Sequence, residues 1–187
     1  MSFDLARALR RIRPQRPATI GRRERSQLPH VSLPVSAGGE LLIDTCVYID
    51  VLQGRAPEAL RALVATRIVN HSSVCLGELT HLFGRLDPAH RRTRAALGEI
   101  RQVIEDIPDH RLTAPSTTAM GEAGMLAGLV ARLVGASRGE TPALFNDAGI
   151  YLQALEGGWT VATRNLRHYD LFDQLLPAGR VLFYERA

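Results

Sequence analysis

From Glu40 onward the chain alternates short apolar runs with stretches of helical periodicity, and this alternation constrains its fold more than any other feature. Leu41-Leu42-Ile43 is an apolar run that stops at Asp44. Helical patterns follow over 47–52 and 58–66, the second with Leu60, Leu63 and Val64 on one face. A second strand is expected over 67–71. Ser72 or Ser73 can then cap a helix running through Val74, Leu79, Leu82 and Phe83. Next come a polar helix over 88–105, a weak strand over 110–113, and a helix over 117–134 stopped by Gly135. Asn146 is expected to cap a helix over 147–155 that ends at Glu156-Gly157-Gly158. Strands over 159–162 and 180–184 complete the pattern. Strands separated by helices have long crossover connections, so the pattern predicts an α/β domain with a mainly parallel sheet. Ligands of such sheets gather outside the carboxyl ends of the strands. Asp44 ends the first strand there, and Thr163-Arg164-Asn165 follows a later one.

The 187 residues are 45% hydrophobic and 22% charged, which suits one globular domain plus an appendage. No apolar run approaches the roughly 20 residues that span a bilayer. Residues 1–13 interleave Arg7, Arg10 and Arg11 with their apolar positions, unlike a secretory signal. Cys46 and Cys75 show no CxxC spacing and read as small buried hydrophobes. A cytoplasmic protein without a membrane segment is the expectation.

All 23 basic side chains are arginine, and the net charge is +4. Eight arginines, from Arg7 to Arg25, fall in the first 30 residues against only Asp4 and Glu24. Residues 1–39 therefore read as a basic arm and linker: a short amphipathic helix over 1–13, then an irregular connector rich in Pro and Gly. The boundary falls near 36–40, and the domain occupies 40–187. The arm's charge calls for an acidic partner. Having few apolar residues, the arm is expected to be dispensable for the core.

Three acids occupy awkward places. Asp44 ends an apolar strand. Glu78 lies four residues after Val74, three after Cys75 and four before Leu82, on the apolar stripe of its helix. Asp147 shares a face with Ile150, Tyr151 and Ala154, although as a first-turn acid it would also be favoured by the helix dipole. A carboxylate turned inward must be paired, hydrogen-bonded or metal-bound. Carboxylate oxygens are the ligands that Mg²⁺ and Mn²⁺ prefer, and a divalent cation would relieve the repulsion among clustered acids. The six histidines are scattered without paired metal spacing, and only His168 lies close to Asn165.

These segments resemble the PIN-domain family, and most closely its VapC-like toxin ribonucleases. Leu41-Leu42-Ile43-Asp44-Thr45 followed by Val47-Tyr48-Ile49 looks like the family's opening strand and first acid. Ser73 to Leu79, with Glu78, resembles the second acidic motif. Asn146-Asp147-Ala148-Gly149-Ile150-Tyr151 resembles the third, and Thr163-Arg164-Asn165 the fourth. The resemblance covers 40–187 and leaves the arm outside it. It implies a PIN-like three-layer α/β/α fold around a central, mainly parallel sheet. It also implies Mg²⁺- or Mn²⁺-dependent hydrolysis of RNA by the toxin of a type II toxin–antitoxin pair, with a cognate antitoxin and a homodimer as partners. Asp44, Glu78 and Asp147 would be the metal ligands and, with Asn165, the catalytic set. Thr163 and Arg164 would position the substrate. The family often has an aspartate where His168 stands, so Asp170 competes with Asn165 for the fourth place. A PIN-fold nuclease of RNA maturation or of DNA, and a non-catalytic RNA- or protein-binding module, are the alternatives. A phosphatase whose first strand carries two aspartates is excluded by Cys46.

Overall fold

The computed structural model describes residues 3–16, 19–34 and 38–187. Ser36 and Ala37, part of the expected boundary, and Met1 and Ser2, part of the expected arm helix, lie outside the described residues.

A five-stranded sheet forms the centre, in the order β3-β2-β1-β4-β5 with every pairing parallel. Its strands are β1 (Leu41–Ile43), β2 (Val69–Ser72), β3 (Leu112–Thr113), β4 (Thr160–Thr163) and β5 (Val181–Phe183). β1 is wholly buried, with β2 on one side and β4 on the other. The chain runs outward from β1 through β2 to β3, then returns to lay β4 against the free side of β1. The gap beyond the carboxyl ends of β1 and β4 is therefore the switch point of the sheet, where α/β folds place their ligands.

The helices are α1 (Leu5–Ile12), α2 (Thr45–Leu52), α3 (Glu58–Thr66), α4 (Ser73–Arg85), α5 (Thr93–Glu105), α6 (Thr117–Val134), α7 (Thr141–Gly157) and α8 (Leu166–Leu175). Ser72 caps α4, accepting from the Val74 N–H, and Gly135 ends α6 in the left-handed conformation. α5 starts at Thr93 and not at Pro88.

α7 departs more from expectation. It begins at Thr141, with a proline in its first turn, so Asn146 is an interior residue and not its cap. Asp147 lies in the second turn, beyond the reach of the dipole argument. α7 is buried nearly all round, from Leu144 to Ala154, and packs on α6, β1 and β4. α8 was not anticipated. It opens at Asn165, whose side chain accepts from the His168 N–H.

The arm is bound to the domain. α1 docks on α6, burying Ala8 and Ile12, and Phe3 lies where a side chain at Gly121 would stand. Arg11 pairs with the buried Glu122 of α6. Arg23 pairs with Asp170 and Asp173 of α8, and Leu28 enters the core. The backbone at 29–31 then exchanges hydrogen bonds with Phe183, running parallel to β5. The acidic residues answering the arm's charge include several in the same chain, and the arm packs on the domain through them.

Candidate active site

At the switch point Asp44, Asn165, Asp147 and Glu78 line an open cleft of about 500 Å³, and Thr163 is buried against Asp44. β1 delivers Asp44 to the mouth of the sheet as the residue before α2. β4 delivers Thr163, whose hydroxyl donates to Asp44 Oδ2 at 2.6 Å. The same hydroxyl oxygen accepts the Asn165 N–H at 2.9 Å, which sets the turn into α8. Asn165 then donates from Nδ2 to Asp147 Oδ2 at 2.7 Å. One hydrogen-bonded chain thus links the ends of β1 and β4 to the middle of α7.

Glu78 is half-buried on α4. It accepts from the Thr45 hydroxyl at 2.5 Å and from Asn146 Nδ2 at 2.8 Å. Asn146 therefore orients the second acid, while its neighbour Asp147 supplies the third.

The electrostatics reflect this crowding. Burial, followed by the negative charge of Asp147, pushes the Asp44 carboxyl up to about 7, against the opposing hydrogen bonds of Cys46 and Thr163. Burial also raises Asp147, with Glu78 adding to the rise, although His168 and Asn165 pull it down. Burial and Asp44 together push the Cys46 thiol far above its usual range, so it serves as a neutral donor to Asp44 Oδ2 at 3.0 Å.

The donor chemistry suits a hard divalent cation. Asp44 and Asp147 each engage protein donors through Oδ2, and Oδ1 of each has no protein hydrogen bond among the described residues. Both carboxylates are raised by burial, and each feels a neighbouring acid's charge, a condition that a cation relieves. Among the described residues no group of three or more His, Cys, Asp or Glu side chains is arranged to hold a metal ion. Mg²⁺ keeps several waters and takes only one or two carboxylates directly, so an open cluster accommodates it. Asp44 and Asp147 would hold such an ion, with Glu78 reaching it directly or through water.

His168 lies on the site. Its Nδ1 is 2.5 Å from Asp147 Oδ2, and its ring is nearly buried. Its closeness to Asn165 in sequence was the one available signal. Asp170, the rival for the fourth place, is committed elsewhere: it accepts from the Arg23 N–H at 2.9 Å and from Arg23 Nε at 2.6 Å. Asn165 occupies the position beside Asp147. Arg164 lines the cleft, but its Nε donates to the buried Asp50 at 2.6 Å. Asp50 also takes Arg186, Arg55 and the Tyr184 hydroxyl, a grouping that sequence reading missed.

No family model matches the sequence, and no curated protein matches it. Solved structures do resemble it. VapBC2 from Rickettsia felis bound to a DNA fragment from their promoter matches with a TM-score of 0.53 at 13% identity, over 78% of this chain and 99% of that one. FitAcB from Neisseria gonorrhoeae matches at 0.52 and 19%, over 77% and 96%. DNA-bound VapBC from Salmonella typhimurium matches at 0.50 and 20%, over 77% and 97%. At these identities the likeness defines the fold: a PIN-like three-layer α/β/α arrangement with an all-parallel sheet. Among the described residues no helix is long and apolar enough to cross a membrane.

Proposed function

We propose that this chain is a Mg²⁺- or Mn²⁺-dependent ribonuclease acting as the toxin of a toxin–antitoxin pair. The observation that carries this reading is the convergence of Asp44, Asp147 and Glu78, with Asn165 between two of the chain's strands and α7, at the switch point of the sheet. The fold likeness to VapBC structures from two organisms supports the toxin–antitoxin context. An antitoxin protein and a second copy of this chain are the partners that context suggests.

A divalent cation bound by the acids would shield the phosphate charge and acidify a water. The chain's residues do the rest. Thr163 and Cys46 fix the Asp44 carboxylate by hydrogen bonds to one oxygen and leave the other for the ion. Asn165 and His168 hold Asp147 in the same way. Thr45 and Asn146 fix Glu78 at the open side of the cleft, where it can accept a proton from water. Asn165 would position the phosphodiester, and Arg164, which lines the same cleft, would offer it positive charge.

The test is cleavage of total RNA by the purified protein with Mg²⁺ or Mn²⁺, set beside Asp147→Asn. Metal-dependent cleavage that vanishes in the variant is the expected outcome. RNA left intact by the wild type under both metals would leave a non-catalytic binding module. Cleavage of DNA in preference to RNA would move the assignment to a deoxyribonuclease.

A further inference from the structure

The grouping around Asp50 exceeds what its own burial requires. Asp50 lies on α2 and is fully buried. It accepts from Arg164 Nε at 2.6 Å, Arg186 Nε at 2.8 Å and the Tyr184 hydroxyl at 2.9 Å, with Arg55 Nη2 3.5 Å away. One guanidinium balances the charge of a buried carboxylate, whereas here three guanidinium groups share it. The result is a formal surplus of two positive charges at one place. All three side chains remain about a third exposed, at 34% to 38%. Among the described residues, Asp50 is the only side-chain partner of each.

The geometry places this surplus beside the acids. The backbone N–H of Arg164 donates to Cys46, which in turn donates to Asp44, while its side chain lines the acidic cleft and reaches back to Asp50. Arg164 thus joins the two groups. Asp50 grips Arg164 and Arg186 through Nε, and among the described residues their terminal nitrogens have no protein hydrogen bond. A guanidinium held in this way keeps a planar pair of donors, the geometry that matches phosphate oxygens. An acidic cleft alone repels a polyanion, and a fixed positive group next to it offsets that repulsion.

We propose that Arg164, Arg186 and Arg55, gathered on the Asp50 carboxylate, form a phosphate subsite for an RNA strand next to the bond to be cut. The subsite rests on the ribonuclease reading for the identity of its strand. Asp50 is its pedestal: a positioning residue that touches no substrate. The C-terminal residues belong to the subsite through Arg186, and the Ala187 N–H donates to the Arg55 carbonyl at 3.0 Å, closing the segment onto the turn that carries Arg55.

The test is binding of a fluorescein-labelled single-stranded RNA of about ten nucleotides, read by anisotropy in EDTA over a salt series. Metal-dependent cleavage is assayed separately. Arg186→Gln and Arg55→Gln should each weaken binding roughly three- to tenfold at low salt, and each should flatten the log K against log salt slope by about 0.7. Arg186→Lys keeps the charge but loses the planar donor pair, so its affinity should fall between those of wild type and Arg186→Gln, with the salt slope unchanged. Arg101→Gln, which removes an equal charge on α5 where Arg101 pairs with Glu105, should bind as wild type does. All are compared below their melting transitions, so a fold defect is separated from a binding defect. Unchanged affinity and slope in both Gln variants would overturn the subsite, and so would equal losses in Arg101→Gln. Arginine-dependent binding without metal-dependent cleavage supports the subsite while refuting the nuclease.

Discussion

Thr163, the last residue of β4, donates its hydroxyl hydrogen to Asp44 at the end of β1 across 2.6 Å, and so clamps the two strands that flank the sheet's switch point. The same oxygen anchors the turn to Asn165.

Asp44→Asn should abolish RNA cleavage and raise the melting temperature of the metal-free protein at pH 7. The sign follows from the raised carboxyl. With a folded pKa of about 7 against an ordinary 3.8, the native state holds a proton that the unfolded chain releases. Metal-free stability therefore falls as pH rises from about 4 to 7. Asparagine keeps an oxygen for the Thr163 and Cys46 donors and removes the charge. Melting curves between pH 4 and 8 check this; a variant with the same pH slope as wild type contradicts the assigned cause.

Divalent metal should act on stability as well as on activity. EDTA should stop cleavage, and Mg²⁺ or Mn²⁺ should restore it. Either ion should also raise the melting temperature near pH 7, and raise it less in Asp44→Asn, because binding to the native state alone stabilises it. Cleavage persisting in chelator would remove the metal from the mechanism.

Asn165→Asp should shift half-maximal activity to lower Mg²⁺ while lowering metal-free stability. The substitution sets a carboxylate where Nδ2 now donates to Asp147 at 2.7 Å, so the pair repels until a cation enters. Asn165→Ala should reduce activity less than loss of Asp44 or Asp147. Asp170→Asn should leave the Mg²⁺ midpoint unmoved and cost stability through Arg23. A magnesium titration of the three variants reads these effects together, and a large activity loss in Asp170→Asn alone would return the fourth place to Asp170.

Ile12→Ala should destabilise the domain by about 2–4 kcal/mol, as expected when a buried aliphatic side chain leaves a cavity. At roughly 2–4 °C per kcal/mol for a chain of this size, the melting temperature should fall by several degrees at least. Deleting residues 1–34 should lower it further, since Leu28 and the Arg11 and Arg23 pairs go as well. A truncated protein that melts like the full chain would show that the arm merely rests on the domain.

The sequence by itself determined the order of the strands and of the helices other than α8, and the positions of the acids. Those signals are local: apolar runs, helical periodicity, Ser72 and Gly135 at helix ends, and acids placed on apolar stripes. It misplaced the start of α7 because Asn146 looks like a cap, although Pro142 marked the true first turn. Tertiary structure alone decided which side chains serve the acids. Asn146 meets Glu78 across 68 residues, Thr163 meets Asp44 across 119, and Arg186 meets Asp50 across 136. It also turned a basic arm into a packed layer, matching Arg11 and Arg23 to acids on α6 and α8. Periodicity records which face of an element is buried; it does not record which distant charge or donor meets that face once the sheet brings the strand ends together.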